Sequence, residues 1–342
     1  MQRYCYGLGP TTLELLCPSA ALALQLQELW RLLFQLRPLP ETTTAALQVS
    51  LCATDSSQPP PAEAVELFHY GAIQVWQSAQ TFGLRCGATH VQINPAQHCA
   101  GGCITTDFWQ ATLAEQREFF QIIFFLLLRR QGYYILHANA LLPPTNRLPS
   151  AVQSAKSGLL VVGDCGAGKT TLTLSLLQAG WYCVGDDLVI LADEGQTGVV
   201  AYGLHQGFSC TQQTATAFPA LQPLMTEGAD LLRAKKFIQV NTLWPDRFAP
   251  CCVPRWLLFP TIADQAASDV TGLGAVEAIN LLLSQPRAGI LADPPTSAGH
   301  LQIYGRLVGQ ATSGRLWSGE DVLTAPATVS QLLAGRLYAL AA

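Results

Sequence analysis

Charge is what this chain has least of. Asp, Glu, Lys and Arg supply 12% of its 342 residues, and the formal net charge is −4. No Lys/Arg-rich run occurs, which excludes nucleic acid as the main ligand, because binding a phosphate backbone needs clustered cations. Long apolar runs are missing too. The longest, Phe119 to Leu128, covers ten positions with Gln121 inside, about half of what a bilayer-spanning helix needs. A core helix and no membrane span are expected there. Met1-Gln2-Arg3-Tyr4-Cys5 has no continuous apolar core and no cleavage signature, so no export signal is expected. A disulfide framework is excluded by pattern rather than by scarcity: the cysteines number eleven, an odd count, and one lies inside a glycine-rich loop. Reduced, mostly buried thiols and a cytoplasmic location follow. Cys99 and Cys103 with His98 lack a second ligand pair at zinc spacing, so no zinc site is expected.

What is abundant is apolar material. Hydrophobic residues make up 49% of the chain and the mean hydropathy is +0.25, ample for large cores but short of surface charge. That balance suits a homo-oligomer or a chain with a biosynthetic partner protein. The length predicts two domains: a smaller N-terminal α+β domain over 1–130, binding substrate or partner, and a second over 131–342. In the first, the Leu/Ala-rich stretch Leu13 to Phe34 predicts a helix broken by Arg37-Pro38-Leu39-Pro40. Thr42 to Ala53, Val65 to Trp76 and Phe82 to Ile93 predict strands, and Ser56 to Pro61 a loop. Thr112 with Glu115 predicts a capping box opening a helix that ends at Arg129 and Arg130. His69, His90 and His98 carry no chemistry in this reading. In the second, strands are predicted at Tyr133 to Leu136, Gly158 to Val162, Leu188 to Leu191, Val199 to Gly203, Lys235 to Val240 and Trp256 to Phe259. Pro143 to Ser154 reads as a loop. Gly274 to Leu283 and Ala325 to Leu340 read as helices.

The chain is organised around Gly163-Asp164-Cys165-Gly166-Ala167-Gly168-Lys169-Thr170-Thr171. It follows an apolar strand and opens a helix, Leu172 to Leu177, closed by Gly180. Gly163 to Thr170 fits the phosphate-loop pattern G-x-x-x-x-G-K-[ST] without a mismatch. Glycines let backbone N–H groups curl around phosphate oxygens, and the helix N-terminus adds donors and a positive dipole end. Lys169 supplies a point charge for the β/γ-phosphates of ATP, and the Thr170 hydroxyl can ligate Mg2+.

Asp186 and Asp187 lie one helix and one turn downstream, sixteen residues beyond Thr170. Phosphoryl transfer needs charge offset and a group to take the acceptor's proton, work that two carboxylates can divide. Neighbours on a regular strand point to opposite faces, so the backbone must bend for both to serve one site. His137 ends a predicted strand of the same sheet and is a candidate to orient a carboxylate.

Leu136-His137-Ala138, the loop Gly163 to Thr170, and Gly180 through Asp186-Asp187 together resemble the catalytic core of bacterial HPr kinase/phosphorylase and its HPr kinase-related relatives. The resemblance covers residues 131–203. It implies an α/β fold, a mixed sheet with a P-loop of the HPr kinase/phosphoenolpyruvate carboxykinase-like type. It also implies Asp186 as the base for an acceptor hydroxyl, with Asp187 and His137 as supports. Lys169 would be the phosphate ligand, and Thr170 with Asp187 would hold the metal. The chain departs from the family in three places: Cys165 stands where the family has Ser, a longer segment separates His137 from the loop, and the later arginine-rich motif is not recognisable. Arg233, Lys235 and Lys236 are the cations available to supply a second positive charge. The expectation is an ATP- and Mg2+-dependent kinase acting on a Ser-type hydroxyl of a peptide, protein or small metabolite. The rival is a nucleotide-binding regulatory subunit of a biosynthetic complex, without kinase activity.

Overall fold

The computed structural model describes residues 1–54, 63–144, 157–204, 207–225, 236–285 and 294–341. The predicted loop Ser56 to Pro61, most of that at Pro143 to Ser154, and the cations Arg233 and Lys235 lie outside the described residues. The chain is α/β and divides into two compact units, Met1–Tyr134 with Ile290–Thr296, and Ile135–Gly289 with Ser297–Ala342.

The first unit carries a nine-stranded mixed sheet. Its elements are β1 (Gln2–Leu8), β2 (Thr11–Cys17), α1 (Ala20–Leu33), β3 (Leu36–Leu39), β4 (Leu47–Ala53), β5 (Val65–Tyr70), β6 (Ile73–Ser78), β7 (Thr81–Cys86), β8 (Thr89–Asn94), β9 (Cys99–Ile104) and α2 (Leu113–Arg129). The sheet order is β3-β1-β2-β4-β9-β8-β7-β6-β5, with β2–β4 and β4–β9 parallel and the remaining pairs antiparallel. The helix expected from Leu13 begins only at Ala20. Thr11–Cys17 is a strand whose burial alternates strictly, and a period of two outweighs the helix propensity of its leucines. Ser19 then caps α1, accepting from the Leu22 N–H. Pro38, read as a breaker, sits inside β3, an edge strand where a missing N–H is tolerated. The strands expected at Val65 to Trp76 and Phe82 to Ile93 form as four, β5 to β8, turning at Gly71 and Gly87, both with positive φ. The capping box forms: Thr112 and Glu115 exchange side-chain and backbone bonds at the start of α2. Helices α1 and α2 meet through rings, Trp30 lying 5.3 Å from Phe120 and 5.6 Å from Phe124.

The second unit holds the other large sheet. Its strands are β10 (Tyr134–Leu136), β11 (Ala138–Leu142), β12 (Ser157–Val162), β13 (Tyr182–Gly185), β14 (Val189–Asp193), β15 (Val199–Gly203), β18 (Cys251–Ile262), β19 (Asp269–Gly272) and β20 (Thr312–Ser318). A separate two-stranded ribbon pairs β16 (Phe208–Cys210) with β17 (Lys236–Ile238). The main order is β10-β14-β15-β18-β12-β11-β13, with β20 on the far half of β18 and β19 beyond it. Twelve residues long, β18 serves as the spine, because β15 pairs with its first residues and β12 and β20 with the rest. Strands β12, β18 and β20 run parallel, so their C-terminal ends share one edge. Every residue of β12 is buried, as a central parallel strand requires.

Helix α3 (Lys169–Gln178) follows β12. Leu172 and Leu176 join one apolar cluster with Leu159, Trp181 and Trp256. Leu174 and Leu177 join another with Phe208, Phe218 and Ile238. The helix is therefore apolar on two faces, the pattern of a buried helix rather than a surface one. Gly180 closes it in the left-handed region at φ 94. Helices α4 (Gln212–Ala217) and α5 (Ala275–Leu283), and the stretches Pro294–Gln310, Asp321–Thr324 and Pro326–Ala341, complete the unit. Trp181 is tied to the last by an indole N–H donated to Ser330 Oγ at 2.8 Å. Among the described residues no helix is long and apolar enough to cross a membrane.

The close approach of β8 and β9 gives a stability test. A Cβ on Gly102 would lie 2.2 Å from the His90 carbonyl oxygen, whereas at Gly101 the nearest atom is 3.8 Å away. Gly102→Ala is expected to destabilise by about 1–3 kcal/mol and Gly101→Ala to shift the urea midpoint little. Equal midpoints would contradict this packing.

Candidate functional site

The glycine-rich loop leaves β12 at the shared C-terminal edge of the parallel strands. Gly166 and Gly168 adopt φ 89 and 91, a left-handed conformation that side chains disfavour. The Ala167 N–H bonds back to the Asp164 carbonyl at 3.1 Å, and the Leu172 N–H to that of Gly168 at 2.9 Å, which starts α3. No side chain caps the helix at Gly168, so its first-turn donors face the loop. Lys169 is buried and donates from Nζ to the carbonyls of Gly163 and Asp164, at 2.6 and 3.1 Å. Asp164 and Cys165 are exposed.

The two aspartates follow β13 and share one bend. Asp187 has φ 67, which breaks the strand alternation that would send neighbouring carboxylates to opposite faces. Their partners differ. Asp186 is 1% exposed. Its Oδ1 accepts from Thr170 Oγ1 at 3.1 Å and from Asn139 Nδ2 at 2.5 Å, and its Oδ2 accepts from the Ser209 N–H at 3.4 Å. The Asp187 carboxylate lies 2.9 Å from His137 Nε2, with side chains 16% and 9% exposed. The sequence reading joined Thr170 with Asp187, but the Thr170 hydroxyl reaches Asp186. His137 sits between β10 and β11 rather than at the end of a single strand. Its Nδ1 is buried without a hydrogen-bond partner among the described residues.

Two contributors escape sequence reasoning. Asn139 is fully buried and touches both aspartates: Nδ2 donates to Asp186 Oδ1 and to Thr173 Oγ1, while Oδ1 accepts from the Asp187 N–H. The available signal was an amide inside the otherwise apolar run Ala138 to Leu142. Ser209 acts through its backbone, and nothing in its neighbourhood marks it. Burial, and secondly the charge of Asp187, push the Asp186 carboxyl up to about 7.

A cavity of about 330 Å3 opens over Gly166, Gly168 and Lys169 to Thr171. One wall comes from Ser209, Thr211, Gln213, Thr214 and Ala217. The other comes from Ile262, Ser318, Gly319, Val322 and Leu323, at and just beyond the ends of β18 and β20. The aspartates and His137 are not lining residues; the cavity reaches Asp186 through Thr170 and Ser209, which both bond to it. Among the described residues, no group of three or more His, Cys, Asp or Glu gathers as a metal cage.

No family model matches this chain, and no curated protein does. Among solved structures, the chain is similar to the Hpr(Ser) kinase/phosphatase from Coxiella burnetii, at 14% sequence identity and a TM-score of 0.32. That alignment covers 60% of this chain and 92% of the other.

Two measurements test the geometry. Asn139→Ala leaves the Asp187 N–H and the Thr173 hydroxyl short of a buried partner, and is expected to cost about 1–3 kcal/mol for each group left unsatisfied; an unchanged melting temperature would count against the hub. The second concerns pH. The Asp186 carboxyl binds its proton more tightly folded, with a pKa of about 7, than unfolded, near 3.8. Between those values the native state holds the extra proton, so this group's stabilisation is full below pH 4 and is lost as pH rises to 7. In nucleotide-free protein, Asp186→Asn is expected to flatten that part of the melting-temperature profile. Parallel profiles for the two proteins would refute it.

Proposed function

We propose that the second unit is an ATP- and Mg2+-dependent kinase that transfers the γ-phosphoryl group to a hydroxyl on a peptide, protein or small metabolite. The observation that carries this reading is the meeting of five side chains at the uncapped start of α3. Lys169 and Thr170 lie on the helix, Thr170 bonds to Asp186, and the next residue, Asp187, bonds to His137. The loop suits a triphosphate: Gly166 and Gly168 turn where side chains are strained, at φ 89 and 91. Lys169, which now donates to loop carbonyls, would exchange those bonds for stronger charge-assisted ones to phosphate oxygens.

The residues fit Mg2+ as well. Thr170 Oγ1 and the Asp186 carboxylate are hard oxygen donors 3.1 Å apart, and Mg2+ is usually held by one or two carboxylates together with substrate phosphates and waters. When bound, the ion offsets charge on the transferring group. These contacts favour the reverse of the division expected from sequence. Asp186, enclosed and joined to Thr170, suits the metal. Asp187, the more exposed of the two, suits the acceptor: its carboxylate takes the hydroxyl proton as the new O–P bond forms and the β–γ bridging bond breaks. His137 cannot meet the acceptor through Nδ1, which is shut away, and so holds the Asp187 carboxylate in place through Nε2.

The test uses the full chain with γ-labelled ATP, Mg2+, candidate peptides and a metabolite extract. Label transfer is expected, falling by about a hundred- to ten-thousand-fold in Asp187→Asn while ATP still raises the melting temperature. Lys169→Ala is expected to abolish that rise, about 2.7 kcal/mol of stabilisation at a hundredfold excess over Kd. Nucleotide binding without transfer or hydrolysis would instead indicate a regulatory subunit, and an undiminished shift in Lys169→Ala would remove the phosphate-loop reading.

A further inference from the structure

The cavity over the loop has two chemically different walls. On one side stand Ser209, Thr211, Gln213 and Thr214, all neutral and polar, together with Ala217. This wall adjoins Asp186, to which the Ser209 N–H donates, and Asp187 is the next residue along the chain. On the other side stand Ile262, Val322 and Leu323, with Ser318 and Gly319 beside them. Two of these are large apolar side chains left in water, Ile262 at 67% and Leu323 at 41% exposure. Ile262 ends β18 opposite Ser318, which ends the parallel strand β20, and its side chain comes within 3.6 Å of a Cβ position at Gly168. The apolar wall thus begins where the glycine-rich loop turns into α3.

In-line transfer sorts the two walls. The attacking and leaving oxygens lie on opposite sides of the transferred phosphorus, so acceptor and nucleoside cannot share a wall. The acceptor belongs with the carboxylate that takes its proton. Resting on the phosphate reading of the loop given above, we infer that Ile262, Val322 and Leu323 receive the nucleobase of the bound triphosphate. The wall of Ser209, Thr211, Gln213 and Thr214 then faces the acceptor. A planar base on branched aliphatic side chains removes apolar surface of both from water. The lining residues include no Asp or Glu on either side, so the base is held by shape and burial rather than by a carboxylate reading its amino edge. The hydroxyl-and-amide wall likewise suits an uncharged polar acceptor.

Calorimetric titration of the full chain with inorganic tripolyphosphate and with ATP, each with Mg2+, separates base from phosphate. ATP is expected to bind wild type about tenfold tighter or more than tripolyphosphate. In Ile262→Ser/Leu323→Ser that advantage disappears, while tripolyphosphate affinity stays within about twofold. An unchanged ATP advantage in the variant overturns the base wall and leaves the phosphate loop standing. No tripolyphosphate binding by wild type overturns the phosphate reading itself, and the base wall with it. A second measurement needs no variant. Photolabelling wild type with 8-azido-ATP, followed by peptide mapping, is expected to mark residues 318–323 or Ile262; labelling confined to 209–217 would reverse the two walls.

Discussion

Burial of α3 on two faces is the constraint from which the rest of the second unit follows. A helix with leucines packed into clusters on both sides cannot rotate or slide, and its N-terminal end is held at the edge of the cavity. That end follows β12, whose C-terminus lies beside those of β18 and β20 because the three strands are parallel. Parallel strands bring their following loops together at one edge, the place where open α/β sheets bind ligands. The glycine-rich loop, Ile262 and the turn after Ser318 therefore converge without any one of them being encoded near another.

A second constraint operates inside that frame. Two carboxylates side by side in sequence repel each other, and one of them is fully enclosed. Asn139 makes the arrangement tenable by donating to Asp186 and accepting from the backbone of Asp187 with a single amide. Thr170 and the Ser209 N–H supply the remaining donors around Asp186. The carboxylates consequently differ in character: one is shielded and raised, the other is paired with His137 and closer to solvent. Such divergence of neighbouring titratable groups is how sites divide acid, base and metal work.

Much of this was legible in the chain. The loop, the helix after it, the Gly180 stop and the capping box at Thr112 are local patterns, set by backbone conformation and hydrogen bonding within a few residues. The need for a bend at Asp187 also followed from strand geometry alone. Leu13 to Cys17 misled because leucine favours helices, and the alternation that makes it a strand pays off only when β1 and β4 are present to pair with it. Strands β9, β19 and β20 and the helix Pro294–Gln310 drew no prediction, since short or mixed segments carry little periodicity of their own.

By itself the sequence determined the turn that curls the chain after β12 and the placement of Lys169 and Thr170 at a helix start. Those depend on interactions spanning few residues. Which carboxylate meets Thr170, which meets His137, and what lines the space above the loop were decided only by tertiary structure. Asn139 reaches Asp186 across 47 residues, and Ile262 approaches Gly168 across nearly a hundred. Contacts that distant leave no trace in local propensity or spacing. They exist because the parallel strands fix where each distant segment ends.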